Sequence, residues 1–259
     1  MKRLFIITIL AASFVRPAEC YEVKGLQPLA PYGVFSTFSA ETIDYKKFNV
    51  GLNFEKIQDP NYYRTSIQFA YGLTKDIELS AALPFVWSWE DNINGTEDIA
   101  FGLKHRIYKG SSVLPSVAYL LTVSGNSGRD DFSTEGRIGG GLIMSKKIGP
   151  FKGHMNFLYF KPGNKNLHEE YSLNIGTELS VSNRSVVLAE LIGKKEFDKN
   201  RINMIEWRLG LRTKAADNIF TTIGAGFDIK DRTPDLRIMF SVNFILPSEK
   251  NRIERVVEE

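Results

Sequence analysis

YRTSIQFAYGL, TKD, IELSAALPFVW: these three pieces, residues 63–87, decide the fold. Tyr63, Thr65, Ile67, Phe69, Tyr71 and Leu73 alternate with Arg64, Ser66, Gln68, Ala70 and Gly72. After Thr74-Lys75-Asp76 the alternation restarts with Ile77, Leu79, Ala81, Leu83, Phe85 and Trp87. A period of two is the mark of a strand with one apolar and one polar face, and a tight polar link between two such runs predicts an antiparallel hairpin. Each run is close to the ~10 residues with which a tilted strand crosses a bilayer.

The pattern extends in both directions. Upstream, Phe48, Val50, Leu52 and Phe54 alternate with Asn49, Gly51, Asn53 and Glu55. Downstream it recurs over residues 99–107, 113–123, 138–144, 155–159, 171–181, 186–192, 205–211, 219–227 and 236–246. The run at 186–192 is the least regular and leaves the face of Glu190 open. Pro84 and Pro115 fall inside runs, where each demands a bulge, a kink or a strand end. No stretch of ~18 apolar residues exists, so no helix is expected to span a membrane.

The connections alternate in length. Residues 56–62, 88–97, 125–133, 162–169 and 194–201 are long, whereas 74–76, 109–112, 146–150, 182–185 and 214–218 are short, and 230–235 is intermediate. Outer-membrane barrels have short periplasmic turns at one rim and longer loops at the other. A soluble sandwich has no reason to alternate in this way. The expected fold is therefore all-β, a transmembrane antiparallel up-and-down β-barrel of about twelve strands, in the bacterial outer membrane with both termini periplasmic.

A barrel in lipid must put its apolar face outward, which assigns the other face to the lumen. The lumen-facing candidates are Arg64, Glu78, Asp98, Lys104, Arg106, Arg137, Glu178, Glu206, Arg208, Arg212, Asp228 and Arg237, with Glu135, Lys152 and His154 on the same face. Both signs occur, and whether they pair is left open. Tyr71, Tyr108 and Phe151 near short turns, and Phe85, Trp87, Tyr159 and Tyr171 near long loops, are candidates for interfacial girdles.

The first residues read as a signal peptide: basic Lys2 and Arg3, an apolar run over residues 4–15, then Ala18, Glu19 and Cys20. Lipoprotein processing ahead of Cys20 would require a small residue where Glu19 stands, so cleavage after residue 20 is expected. The expected organisation is a signal peptide at 1–20, a periplasmic lead-in or plug at 21–46, the barrel at 47–246 and a charged periplasmic tail at 247–259. Cys20 is the single cysteine, so the exported chain has no internal disulfide. The formal charge of +3 includes Lys2, Arg3 and Arg16, which leave with the signal, and nothing favours nucleic-acid binding.

An outer-membrane phospholipase would need a paired serine and histidine. His105 has Ser80 and Ser116 as its cross-strand prospects, and His154 and His168 have no serine motif nearby. Neither an enzyme, a metal site nor a cofactor is expected. Gly139-Gly140-Gly141 lies within a strand, where small residues permit close approach or a bend.

Residues 33–42, GVFSTFSAET, followed by the run at 48–54, resemble the start of a family of bacterial outer-membrane proteins labelled "MetA-pathway of phenol degradation". So do Tyr71-Gly72-Leu73-Thr74 leading into residues 78–85, ELSAALPF, and residues 98–104, DIAFGLK. The resemblance is best over the first half of the chain. It implies a single-chain barrel passing small, often aromatic, compounds, and it carries over no functional residue. The expected function is an outer-membrane channel or transporter for a small solute. The alternatives are a barrel that displays surface loops for binding and, less favoured, a lipid-modifying enzyme. The expected partners are outer-membrane lipid, the solute and the barrel-assembly machinery.

Overall fold

The computed structural model describes residues 24–58, 61–88, 94–129, 132–196, 204–229 and 236–246. The expected signal peptide and charged tail lie outside them. Among the described residues the strands are β1 (Phe48–Gln58), β2 (Tyr62–Gly72), β3 (Ile77–Trp87), β4 (Asn94–Thr96), β5 (Ala100–Tyr108), β6 (Ser116–Ser124), β7 (Arg137–Ile148), β8 (Phe151–Pro162), β9 (Glu170–Ser180), β10 (Ser185–Glu196), β11 (Met204–Ala216), β12 (Ile219–Asp228) and β13 (Leu236–Leu246).

Twelve of these strands form a closed antiparallel wall. β1 meets β13 along its whole length, from Phe48 opposite Leu246 to Gln58 opposite Leu236. An even number of up-and-down strands lets the first and last meet antiparallel, so no edge is left open to lipid. Eleven residues, the length of β1, β2 and β3, rise about 36 Å, and a tilt of ~45° brings that to the height of an apolar band of ~25 Å. The outer face supplies that band: Leu52, Ile67, Leu83, Phe101, Leu121, Leu142 and Phe157 are all exposed on neighbouring wall strands. Surface this apolar is unfavourable in water and at home in lipid. Near the long-loop rim Tyr63 stacks on Trp87 at 4.4 Å, and Tyr159 lies 5.0 Å from Tyr171, as a girdle requires. His105, on the outer face, has its polarity met by the Tyr119 hydroxyl at 3.1 Å.

Several boundaries differ from the expectation. β4 is a short ribbon on the end of β3, inside what reads as a loop. The link between β1 and β2 is residues 59–61 rather than the expected 56–62, because Ile57 and Tyr62 are held in an apolar cluster with Val86 and Phe132 inside that rim. Conversely, 109–112 reads as a short turn, but β6 begins only at Ser116. Val113 is exposed in the connection and Pro115 ends it, where its missing N–H costs no ladder bond.

Pro84 sits within β3 at a break in its partner. β5 pairs with β3 up to Ala82, and β4 resumes at Phe85, so Leu83 and Pro84 have no ladder partner on that side. The Pro84 carbonyl accepts from the Glu97 amide at 3.1 Å, and the side of the strand where its N–H would point is this same gap. The three glycines of β7 serve close approach: a Cβ on Gly140 or Gly141 would run into the backbone carbonyls of Leu120 or Phe157.

The interior is filled by the chain that precedes β1. Residues 24–47 run inside the barrel, starting near the long-loop rim, where Lys24 meets Glu55, and leaving at the short-turn rim, where the Lys46 and Gly72 backbones bond. One side of the interior is apolar: Leu26, Phe38 and Ala40 pack on inward Ala82, Leu120 and Ile143. The other side, built from β1, β2, β10, β11 and β13, is charged.

Candidate functional site

The charged side of the interior is the candidate site, and alternation along each strand puts its members there. Glu55 of β1 lies 2.7 Å from Lys24, 2.8 Å from Arg237 and 3.6 Å from Arg64. Arg64 is 2.7 Å from Glu97. Glu206 of β11 binds Arg237 at 3.0 Å and Arg208 at 2.6 Å, and Arg208 reaches Glu190 of β10 at 3.2 Å. Four carboxylates thus alternate with three arginines, and Lys24 of the inner segment joins the row at Glu55; most of these groups are almost wholly buried. A buried charge is tolerated only when paired and hydrogen-bonded, and this arrangement supplies both. Arg212 pairs with Glu178 at 3.3 Å, and Lys104 with Glu78 at 3.1 Å.

Of the twelve candidates read from the sequence, Arg64, Glu78, Lys104, Glu178, Glu206, Arg208, Arg212 and Arg237 are buried in these inner pairs. The others serve elsewhere. Arg106 bonds Asp76 at 2.7 Å beside the turn between β2 and β3. Arg137 donates to the Lys24 carbonyl at 2.9 Å and lies over the Phe160 ring. Asp228 is half-buried at the end of β12, opposite Glu206.

Asp98 lies ahead of β5, where its carboxylate gathers the loop 125–136. It accepts from the Gly128 and Thr134 amides and from the Ser133 and Thr134 hydroxyls, at 2.7 to 3.0 Å. Burial raises its pKa, but the Ser133 and Thr134 hydrogen bonds outweigh burial and hold it below the ordinary aspartate value. Its hold on the loop is therefore complete above the ordinary value of about 3.9 and is lost as pH falls through the depressed one. Followed by NMR, the Gly128 and Thr134 amide shifts should titrate with a midpoint below about 3.9; a midpoint at or above it would show that the carboxylate does not hold the loop.

The sequence reading missed residues that matter here. Glu55 continues the polar alternation of Asn49, Gly51 and Asn53, so its face was available, but its partners were not. Glu190 faces inward between Leu188 and Ile192, which are buried too. His154, which has no serine motif nearby in the sequence, has Nδ1 2.7 Å from Ser145 Oγ and Nε2 3.3 Å from Glu178. Ser145 and His154 are opposite partners across the β7–β8 hairpin, a pairing its two-residue turn fixes. Ser145 lies buried under the inner segment and accepts the Ala40 amide at 2.8 Å, and Glu178 is shared with Arg212, so the group ties wall to segment.

Deep in the interior, the described residues leave small spaces on both sides of the segment. One cavity of about 50 Å³ is lined by Leu26, Ser36, Thr122 and Arg208, and another of about 50 Å³ by Pro28, Phe35, Asn53 and Thr222, on the other side of the segment. Each has room for a few waters and for no solute.

No protein-family model matches the chain, and no curated protein matches it. Among solved structures, it is similar to the NanC porin, with a TM-score of 0.62 at 10% identity over 76% of this chain and 100% of that one. The KdgM porin gives 0.59 at 12% identity, covering 76% and 98%. The COG4313 outer membrane channel from Pseudomonas putida F1 gives 0.60 at 12% identity, covering 80% and 98%. The fold of this chain is that of the outer-membrane porin barrels.

Proposed function

We propose that this protein is an outer-membrane channel for small solutes, held closed by residues 24–47. The observation that carries the reading is the interior itself: a charged wall that a barrel serving only as an anchor has no need of, facing a segment that is bonded to it rather than built into it. On this reading outer-membrane lipid surrounds the apolar belt, the barrel-assembly machinery inserts the chain, and the short-turn rim faces the periplasm. The resemblance seen at residues 33–42 adds small aromatic compounds as a solute class. The porin-like barrel supports passage of a solute.

A second reading, a barrel that displays surface loops, is favoured by the Asp98-ordered loop over the long-loop rim. Single-channel recording in planar bilayers separates the two. The channel reading expects rare, small openings, more frequent and shifted towards cations after Arg208→Ala and Arg212→Ala, since Glu178 and Glu190 then lose their countercharges. A folded protein, verified by its heat-modifiable gel mobility, that never conducts in either form leaves the display reading standing.

A further inference from the structure

The wall grips the inner segment chiefly by its backbone. Asn156 meets both polar groups of one peptide residue, accepting from the Phe38 amide at 2.6 Å and donating to its carbonyl at 2.9 Å. Glu190 accepts from the Ser36 and Thr37 amides at 2.7 and 2.6 Å. Ser145 takes the Ala40 amide and Glu78 the Ile43 amide, at 2.8 and 2.9 Å. In the opposite sense, Asn49 donates to the Ala30 carbonyl at 2.9 Å, and Arg212 donates to that of Gly33. These six residues come from six different strands. The segment turns back on itself here, with the Val34 amide on the Thr37 carbonyl at 2.9 Å and the Ser39 amide on the Tyr32 carbonyl at 3.2 Å. A backbone bond carries no information about the side chain of its partner, so the same wall atoms would serve another peptide that takes this turned course.

The side chains of the segment are received differently. Leu26, Leu29, Val34 and Phe35 each lie where an inward glycine of the wall, Gly102, Gly51, Gly176 or Gly224, has no Cβ; at Gly176 a Cβ would come within 2.8 Å of Val34. Absent side chains at spaced positions make sockets for apolar ones. Together with the apolar residues of the interior, they define a site in which backbone-bonding side chains and sockets for apolar side chains are interleaved around the wall.

We propose that the lumen is a peptide-binding site, occupied in cis by residues 24–43, that takes in their place an oligopeptide with apolar side chains able to make the same turn. This rests on the channel reading for passage of the peptide but not for its binding. The exchange of peptide for segment breaks no covalent bond.

The test is amide hydrogen exchange on the complete barrel in detergent, with a blocked neutral tetrapeptide of Leu, Ala, Val and Phe at millimolar concentration. In separate samples the addition is phenol or an oligogalacturonate, the saccharide that one solved KdgM porin structure holds. The expected result is exchange at Thr37, Phe38 and Ala40 at least tenfold faster with the peptide and unchanged with the other two. No acceleration by the peptide, or equal acceleration by all three, overturns the proposal. Currents recorded with the same additions keep the two readings apart. Acceleration by the peptide alone with no current under any solute supports peptide recognition and removes the channel, whereas current without acceleration removes peptide recognition and keeps the channel.

Discussion

Replacing Glu206 by leucine lowers the unfolding free energy of the barrel by about 3 kcal/mol or more, the range for breaking a buried ion pair from one side. Glu206 is fully buried and is shared by Arg208 and Arg237, themselves fully buried. Its loss leaves two guanidinium groups short of a countercharge in a place closed to bulk water. Each retains one carboxylate, Glu190 for Arg208 and Glu55 for Arg237, which keeps the loss towards the lower end of that range. Glu206→Gln keeps an acceptor and removes only the charge, so it costs less. Urea unfolding followed by tryptophan fluorescence measures both. A change under about 1 kcal/mol for the leucine variant would mean that the pairs set the course of the inner segment without stabilising the barrel.

Gly176→Leu opens the lumen. The three atoms nearest a new Cβ at Gly176 belong to Val34 and Thr37, at 2.8 to 3.2 Å, so the added side chain presses first on the inner segment. Thr37 is where Glu190 holds that segment by amide and hydroxyl, both at 2.6 Å. Displacing it exposes Glu190 and Arg208 to water and joins the cavities on either side. The expected result is an open probability at least tenfold above the parent in planar bilayers, from a barrel still folded by its heat-modifiable gel mobility. A closed variant with the segment still protected from hydrogen exchange would show that the interior can absorb a leucine, and that blockage lies at the rims.

The wall was legible in the sequence because lipid imposes the same demand on every spanning strand, whatever its neighbours. Alternation in 63–87 therefore survives without knowledge of the partner strand, and the twelve runs match the twelve wall strands. Where the interior is protein rather than water, the rule weakens. Leu188 and Ile192 face inward beside Glu190, so β10 reads as apolar on both faces and its register was obscure. The inner segment was harder still. Its amides bond to side chains of many strands instead of a ladder, so residues 24–47 show neither a period of two nor one of 3.6. The Ser145–His154 contact needed only the hairpin register, with a turn at 149–150. The ion pairs needed strand neighbours that lie far apart in sequence, such as Glu55 and Arg237.

The course of residues 24–47 also constrains how the molecule is assembled. A ring closed by β1 and β13 encircles a length of its own chain that runs from near one rim to the other. Either that length is captured before the seam zips shut, or its free end is threaded through a finished hoop. In the first case the inner segment acts as a mandrel around which the hoop is wound, and its bonds to β10 and β11 order the late strands before the first and last ones find each other.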